Sequence, residues 1–286
     1  MEILLTVITV SYNAEKTIEK TVKSVIRNKS EYIEYIIIDG LSTDRTMTIV
    51  EKYKNKIDKV VSEKDFGLYD ALNKGIKMSR GKYIMLLAAD DSLIDNSLEI
   101  ALKTIKPGID VWCGTIVQKN SYGYFYEKSD PDLEQLKYHC SLRNPASIFK
   151  RSTFEKFGYY DTKYKCDGDR ELFLRFYLSG AKFQIENIPI VIFNVGGIST
   201  ADRTKLAIPE GIEISRRYGL SEEIVNRYYN KMMKQEIWKG KLLRNGLTRT
   251  LFGLLYSDML YPWFCGVRNR ENNKLSKAEC KNLEIL

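Results

Sequence analysis

The chain has 286 residues, of which 44% are hydrophobic and 12% aromatic. It is long enough for one large domain or for one domain with an appendage, it can bury a sizeable core, and nothing in its composition indicates global disorder. No apolar run approaches the roughly 20 residues of a transmembrane helix. Met1 leads almost directly into a predicted strand, so we expect no secretory leader. The five cysteines are scattered and form no CxxC pair, so we expect reduced thiols in a cytoplasmic protein.

The net charge of +8 is concentrated near the C-terminus, where sixteen Lys and Arg face ten Asp and Glu after residue 200. One interpretation is a solvated basic helical face. The other is contact with an anionic surface, such as the inner face of a membrane or a lipid phosphate. The first two thirds of the chain are nearly neutral and contain no nucleic-acid-binding module, so no nucleic-acid partner is expected.

Apolar strand patterns alternate with helical patterns through the first 110 residues. We predict strands over 4–10, 35–40, 59–61 and 83–88, and helices over 14–28, 45–55, 69–79 and 93–103. This alternation is typical of an α/β fold with an open, mostly parallel sheet flanked by helices. Ligands of such sheets bind at the carboxyl ends of the strands.

The rest of the chain is less regular. We predict strands over 111–119, 122–127 and 189–194, helices over 149–156 and 171–179, and a basic helical region beyond residue 200. The sequence therefore divides into a domain over 1–200, with halves 1–110 and 111–200, and a C-terminal helical extension over 201–286.

Acidic residues follow three of the predicted strands. Asp39, Asp65 and Asp90 all lie at or just beyond strand ends, and Gly40 after Asp39 allows a backbone or ligand to approach closely. Asp39 can accept hydrogen bonds from a base or a ribose. The alternative is that Asp39 and the nearby Asp44 only cap turns and helices.

Asp90 is followed directly by Asp91. Two neighbouring carboxylates repel each other unless a cation or hydrogen-bond donors neutralise them. A divalent ion held by Asp90, with Asp91 in support, would bind the phosphates of a diphosphate and stabilise its departure. The alternative for Asp91 is to cap the helix predicted over 93–103.

Four ordered motifs resemble family 2 glycosyltransferases with the GT-A nucleotide-sugar-binding fold, and most closely the bacterial enzymes of capsule, colanic-acid-like or O-antigen polysaccharide synthesis. They are residues 6–13 (TVITVSYN), 38–46 (IDGLSTDRT), 65–75 (DFGLYDALNKG) and 87–91 (LAADD). The resemblance implies inverting transfer of a sugar, usually with Mn²⁺ or Mg²⁺, from a nucleotide-sugar, here a UDP-sugar, to a hydroxyl of a lipid-linked or oligosaccharide acceptor. It also makes 1–110 the nucleotide-binding half and 111–200 the acceptor half.

The resemblance assigns roles by position. The implied nucleotide-sugar-binding residues are Thr9, Tyr12, Asn13, Asp39, Asp65, Asn73, Lys74, Ala89 and Asp90. Asp90 matches the metal-binding acid of the family's Asp-x-Asp motif, whereas Ala88 stands where relatives carry the first acid. This departure leaves the strength of metal binding open.

The implied catalytic base is Asp169, with Asp167 in reserve. A carboxylate at a helix start can deprotonate an acceptor hydroxyl as it attacks the sugar. Arg170 stands where the family usually has an aromatic residue. The alternatives are a plain helix cap at this position, a non-catalytic nucleotide-sugar-binding protein, and a sugar nucleotidyltransferase, although the last lacks its Gly-rich basic phosphate loop after residue 10.

Three further features have two interpretations each. His139, the only histidine, either serves the acceptor side or is structural. Residues 196–199 (GGIS) either pack near the diphosphate or form a plain turn. The aromatic stretch 251–264, flanked by arginines, either docks at a membrane interface or packs on the core or on a second subunit of a homodimer.

Overall fold

The N-terminal half folds as the alternating strands and helices that its sequence predicts. The computed structural model describes residues 2–120, 123–194, 205–244 and 275–282. The strands are β1 Leu5–Ser11, β2 Ile33–Asp39, β3 Lys59–Ser62, β4 Tyr83–Ala88, β5 Ser92–Leu93, β6 Val111–Asn120, β7 Gly123–Lys128, β8 Ser147–Lys150 and β9 Phe183–Asn194. The helices are α1 Ile18–Asn28, α2 Thr46–Glu51, α3 Leu68–Met78, α4 Ser97–Thr104, α5 Arg151–Phe157, α6 Gly168–Leu178, α7 Ala207–Arg217, α8 Glu222–Arg244 and α9 Lys277–Asn282.

Four parallel strands, in the order β3-β2-β1-β4, form the first half of the sheet. Every residue of β1 and β2 is buried, as expected for strands covered by helices on both faces. The register pairs Ser11 with Asp39 and Val10 with Ala88. The carboxyl ends of these strands, and the acidic residues that follow them, therefore share one edge.

The second half of the sheet is mixed. Strand β8 lies antiparallel between β4 and β6, and β9 runs parallel to β6 and antiparallel to β5. Phe149, predicted in a helix, belongs to β8, and α5 begins only at Arg151. The sheet fixes this difference, because Ile148 and Phe149 are fully buried between neighbouring strands, and tertiary packing overrides local preference.

Two hydrophobic clusters, one on each face, cover the sheet. One contains Tyr69 and Leu72 of α3 with Phe173 and Phe176 of α6. The other contains Val22 of α1 with residues of α4 and β6. The sheet thus forms the middle of three layers.

Beyond the sheet, α7 and α8 pack on each other through Ile208, Val225 and Tyr229. Leu275, just before α9, packs with Val117 and donates its backbone N–H to the carbonyl of Tyr124. No helix in the described ranges is long and apolar enough to cross a membrane. The aromatic stretch 251–264 lies outside the described residues.

Helix α3 packs tightly on the sheet at Gly75. A Cβ added there would lie 2.4 Å from the Ile8 Cγ2 atom and 3.3 Å from Ile38. We therefore expect Gly75→Ala to lower the free energy of unfolding by about 1–3 kcal/mol, although alanine would favour the helix by about 1 kcal/mol.

Denaturant unfolding measures this change. The control is Lys77→Ala at an exposed position of the same helix, which we expect to shift stability by about 0.5 kcal/mol or less. A stabilising Gly75→Ala would contradict the packing described here.

Candidate functional site

The carboxylate of Asp39 joins the ends of three strands. Its two oxygens accept hydrogen bonds from the Ser11 hydroxyl (3.0 Å), the Ser42 hydroxyl and backbone N–H (2.5 and 2.9 Å) and the Ser62 hydroxyl (2.7 Å). Asp39 is completely buried, and these four donors occupy the usual capacity of a carboxylate. Asp39 thus organises the turn after β2, as one of the sequence interpretations proposed, and it forms the floor of the strand-end site.

Tyr12 and Asn13 form the rim above this floor. Tyr12 is 65% exposed. Asn13 has a positive φ of 48°, which asparagine tolerates. Its side chain accepts the Thr43 N–H at 2.9 Å, and its own N–H donates to the Ser42 hydroxyl at 2.8 Å. The loops after β1 and β2 are therefore fastened to each other.

The nucleotide-binding role of Thr9 stays a prediction, and the structure gives its side chain an internal partner. Thr9 is completely buried, and its hydroxyl accepts a hydrogen bond from Tyr35 at 3.1 Å. The side chain points into the layer between the sheet and its helices, because alternate residues of a strand face opposite sides of the sheet.

Asp65 lies directly beside the Asp39 turn. A Cβ on Gly40 would be only 2.5 Å from the Asp65 Oδ2 atom, so glycine is needed for this approach. The other oxygen of Asp65 accepts the N–H of Gly67 at 2.9 Å. Phe66, between them, is 79% exposed. The segment 65–67 thus stands at the opening of the site.

Asn73 and Lys74 have internal partners instead of open positions in the site. The buried Asn73 amide donates to the Tyr160 carbonyl and accepts the Tyr160 N–H, at 2.9 and 3.0 Å. The Lys74 ammonium bonds to the Glu63 carboxylate and the Lys64 carbonyl, both at 2.9 Å. These contacts position α3 and the segment before it, and the donor-binding roles of the two residues stay predictions.

Asp90 and Asp91 follow β4 at the same edge. The Ala89 N–H donates to the Val10 carbonyl at 3.1 Å, and the Thr21 hydroxyl lies 2.9 Å and 2.6 Å from the carbonyls of Ala89 and Asp91. Ala89 itself is buried, so only its backbone can serve a ligand. The turn that presents Asp90 is thus held from two sides.

The environments of the two acids differ. Asp90 is half-buried, and burial raises the pKa of its carboxyl. Asp91 is 1% exposed, and its pKa is raised well above the usual range by burial and then by the charge of Asp90. One Asp91 oxygen accepts the Asn194 N–H at 3.1 Å, and the other has no hydrogen-bond partner within the described ranges.

The helix-cap interpretation of Asp91 is wrong. Ser92 and Leu93 pair with β9 as a strand, and α4 begins only at Ser97. Two adjoining buried acids with an unpartnered oxygen fit a hard divalent cation that takes its remaining ligands from phosphates and water. Across the described residues, no group of three or more His, Cys, Asp or Glu side chains could hold a metal by itself.

Asp167 and Asp169 lie at the start of α6. Burial raises the pKa of Asp169, and the Arg170 N–H, which donates to its carboxylate at 2.8 Å, opposes that shift. Burial raises the pKa of Asp167 to about 7, with the charge of Asp169 adding to the shift and Arg170 opposing it. Asp167 is ion-paired with Arg170 at 3.2 Å. Asp167 is thus paired with a buried cation, whereas Asp169 accepts hydrogen bonds from the Arg170 N–H and the Cys140 side chain.

Tyr69 connects this loop to the segment around Asp65. Its hydroxyl accepts the N–H groups of Gly168 and Asp169, at 2.9 and 3.3 Å, and donates to the Cys166 carbonyl at 2.9 Å. The Lys165 ammonium bonds to the Phe66 carbonyl at 3.0 Å. The loop that carries Asp167 and Asp169 is therefore attached to the segment that follows Asp65.

Sequence reasoning missed the partners of Arg170. This guanidinium is completely buried and donates to the carbonyls of Leu136, Lys137 and Gly211 and to the hydroxyls of Ser215 and Tyr229. The only sequence signal was its departure from the family's aromatic residue. His139, whose Nδ1 lies 3.2 Å from the Tyr228 hydroxyl, belongs to the same helical packing. The loop 196–199 lies outside the described residues.

The sheet, with helices on both faces and acidic residues after its parallel strands, has the GT-A fold of glycosyltransferases. The sequence profile of glycosyl transferase family 2 matches residues 6–170, more than half of the chain, so the chain belongs to this family.

Individual relatives agree with this assignment. An uncharacterised glycosyltransferase of Rickettsia typhi is 28% identical over 60% of this chain and 58% of its own length, so the chain spans little more than half of that relative. A putative teichuronic acid biosynthesis glycosyltransferase of Bacillus subtilis, TuaG, is 39% identical over 35% of the chain and 41% of its own length.

Solved structures share the fold. S. aureus TarS in complex with UDP-GlcNAc has a TM-score of 0.60 at 17% identity and covers 92% of this chain and 79% of its own. A mannosyltransferase of Pyrobaculum calidifontis in complex with GDP-Man and Mn²⁺ has a TM-score of 0.58 at 16% identity and covers 93% and 73%.

The unpartnered oxygen of Asp91 predicts a pH-dependent cost to stability. The folded pKa of Asp91 lies above the unfolded value of about 3.9, so the cost is absent at lower pH and grows as pH rises above it. We expect Asp91→Asn to stabilise the ligand-free protein at pH 8 by about 1 kcal/mol or more, and to change it little near pH 4.

Urea unfolding at both pH values measures the effect. The control is Asp95→Asn, which removes an exposed pair with Arg27 (2.8 Å) and should cost about 0.2–1 kcal/mol. A destabilised Asp91→Asn at pH 8 would contradict the account of an uncompensated carboxylate.

Proposed function

We propose that this protein is an inverting glycosyltransferase that moves a sugar from a UDP-sugar to a hydroxyl of a lipid-linked or oligosaccharide acceptor in bacterial surface-polysaccharide synthesis. One observation carries the proposal beyond family membership. The loop of Asp167 and Asp169 is hydrogen-bonded, through Tyr69, to the segment that adjoins the Asp39 floor. This attachment supports a carboxylate beside the proposed nucleotide site.

The donor and acceptor classes rest on different support. UDP-GlcNAc in TarS and GDP-Man in the mannosyltransferase are nucleotide-sugars bound by the same fold. The teichuronic acid biosynthesis relative supports a polysaccharide acceptor. The proposed peripheral contact with an anionic membrane rests on the basic excess after residue 200 and on the aromatic stretch 251–264.

Asp169 is the proposed base. Its carboxylate takes the proton of the acceptor hydroxyl while that oxygen forms a bond to the anomeric carbon. The bond from that carbon to the diphosphate breaks on the opposite face, which inverts the configuration. Asp167 is the weaker candidate because Arg170 pairs with it at 3.2 Å.

Asp90, supported by Asp91, would hold Mn²⁺ or Mg²⁺. Such an ion, when bound, neutralises charge on the departing diphosphate. The two acids themselves contribute negative charge in a half-buried place, where burial has already raised the pKa of both carboxyls. Because burial disfavours their uncompensated charge, these two carboxylates should bind a cation more strongly than solvent-exposed carboxylates would.

We expect Asp90→Ala to remove the metal-dependent part of donor binding. A thermal-shift screen of UDP-, GDP- and dTDP-sugars, with and without Mn²⁺, first identifies the donor, because a ligand specific for the folded state raises its stability. Calorimetry then compares wild type and variant. Asp95→Ala, at a partly exposed acid outside the site, is the control. An unchanged Mn²⁺ effect in Asp90→Ala would refute the metal assignment.

We expect Asp169→Asn to bind the donor normally while transfer falls about 100-fold or more, the scale of lost general-base help. In the wild type, activity should decline as pH falls through the raised pKa of this carboxyl, above the usual aspartate range of about 4. Transfer to acceptor across a pH series measures both effects.

Asp161→Asn is the matched control, since Asp161 pairs with Arg217 at 3.1 Å on the surface near this loop. Near-normal transfer by Asp169→Asn would place the base elsewhere. Donor binding by the wild type without any transfer, over a broad acceptor panel, would instead support a non-catalytic nucleotide-sugar-binding protein.

A further inference from the structure

Five consecutive backbone amides of the loop before and at the start of α6 donate to just two side chains. Glu210 accepts the N–H of Lys165 at 2.7 Å on one oxygen, and those of Cys166 and Asp167 at 3.0 and 2.8 Å on the other. Tyr69 accepts the next two amides. Hydrogen bonds to a carboxylate are the stronger kind, so Glu210 is a firm anchor for this loop.

Glu210 belongs to α7, which lies beyond the family-matched region 6–170. The helix is itself held against α6 by Arg170, which donates to the Gly211 carbonyl at 3.1 Å and to the Ser215 hydroxyl at 2.7 Å. A Cβ on Gly211 would lie 2.9 Å from the Tyr229 ring and hydroxyl, so the approach depends on glycine. Contacts other than those with the loop thus fix the position of α7, the helix that carries Glu210.

The two anchors come from different parts of the chain. Tyr69 is on α3, in the segment beside Asp65, and Glu210 is on a helix of the C-terminal extension. Between them they leave no free amide from residue 165 to residue 169. The position of the Asp169 carboxylate therefore depends on both the nucleotide-binding half, through Tyr69, and the C-terminal extension, through Glu210.

We propose that Glu210 is a positioning residue for the reaction, and that α7 is accordingly part of the catalytic unit and not an independent appendage. The proposal rests on the proposed function in taking Asp169 as the base. Misplacing a reacting group by about 1 Å can cost roughly 100-fold in rate. Loss of the Glu210 anchor should therefore slow the chemical step without removing the donor site.

The test is Glu210→Gln. Its single acceptor oxygen cannot satisfy both sides of the loop, and its NH₂ group would face backbone donors. We expect kcat to fall about 10- to 100-fold while the Kd of the donor stays within about twofold. The matched control is Glu213→Gln on the same helix, where Glu213 contacts the side chains of Lys163 (2.7 Å) and Tyr164 (3.1 Å) but no loop amide. It should retain near-wild-type kcat.

Hydrogen exchange gives a readout that does not need activity. The amides of residues 165–167 should exchange faster in Glu210→Gln than in Glu213→Gln, with exchange in β1 and β2 unchanged. If Glu210→Gln folds poorly, Glu210→Asp keeps the charge on a shorter side chain and should give intermediate exchange and kcat.

Unchanged kcat or unchanged loop exchange in Glu210→Gln would overturn the proposal, as would an equal loss of donor affinity. A wild type without transferase activity would refute the proposed function on separate grounds. In that case, faster exchange confined to residues 165–167 would still establish the anchor, and unaltered exchange would refute it.

Discussion

A buried carboxylate must find hydrogen-bond donors or a cation, and this requirement divides the acids of the strand-end site into two kinds. Asp39 has four protein donors and needs nothing further, so it fixes the ends of β1, β2 and β3. Within the described residues, Asp91 has one hydrogen-bond donor and one oxygen without a partner, and burial raises the pKa of Asp169. The acid of the first kind stabilises the structure of the site. The acids of the second kind carry a charge that a cation or a proton can neutralise.

The parallel register makes this division possible. It delivers Asp39 and Asp90 to one edge, while Gly40 lets Asp65 approach that edge. The remaining acids come from α6, and their loop is positioned by hydrogen bonds to Tyr69 and Glu210. Residues far apart in the chain thus meet in one network of hydrogen bonds, and the buried Arg170 joins α6 to α7 and α8.

The sequence predicted the strand-end acids because an apolar run followed by a carboxylate is a local pattern. It could not predict that Thr9 and Asn73 are consumed by internal hydrogen bonds, since their partners, Tyr35 and Tyr160, are 26 and 87 positions away. The sequence did not predict strand β8 for the same reason, because this strand forms by pairing with β4 and β6. Glu210 belongs to no recognised motif, so the sequence did not predict its role. Its contact with the loop is seen only in the packing of α7.

A crystal structure of the protein with an unreactive UDP-sugar analogue and Mn²⁺ tests the central claim most directly. The account predicts a nucleotide above Asp39, the diphosphate and ion at Asp90, and the Asp169 carboxylate facing the anomeric carbon from the side opposite the diphosphate. A donor bound away from this edge, or an Asp169 carboxylate directed away from the sugar, would contradict it.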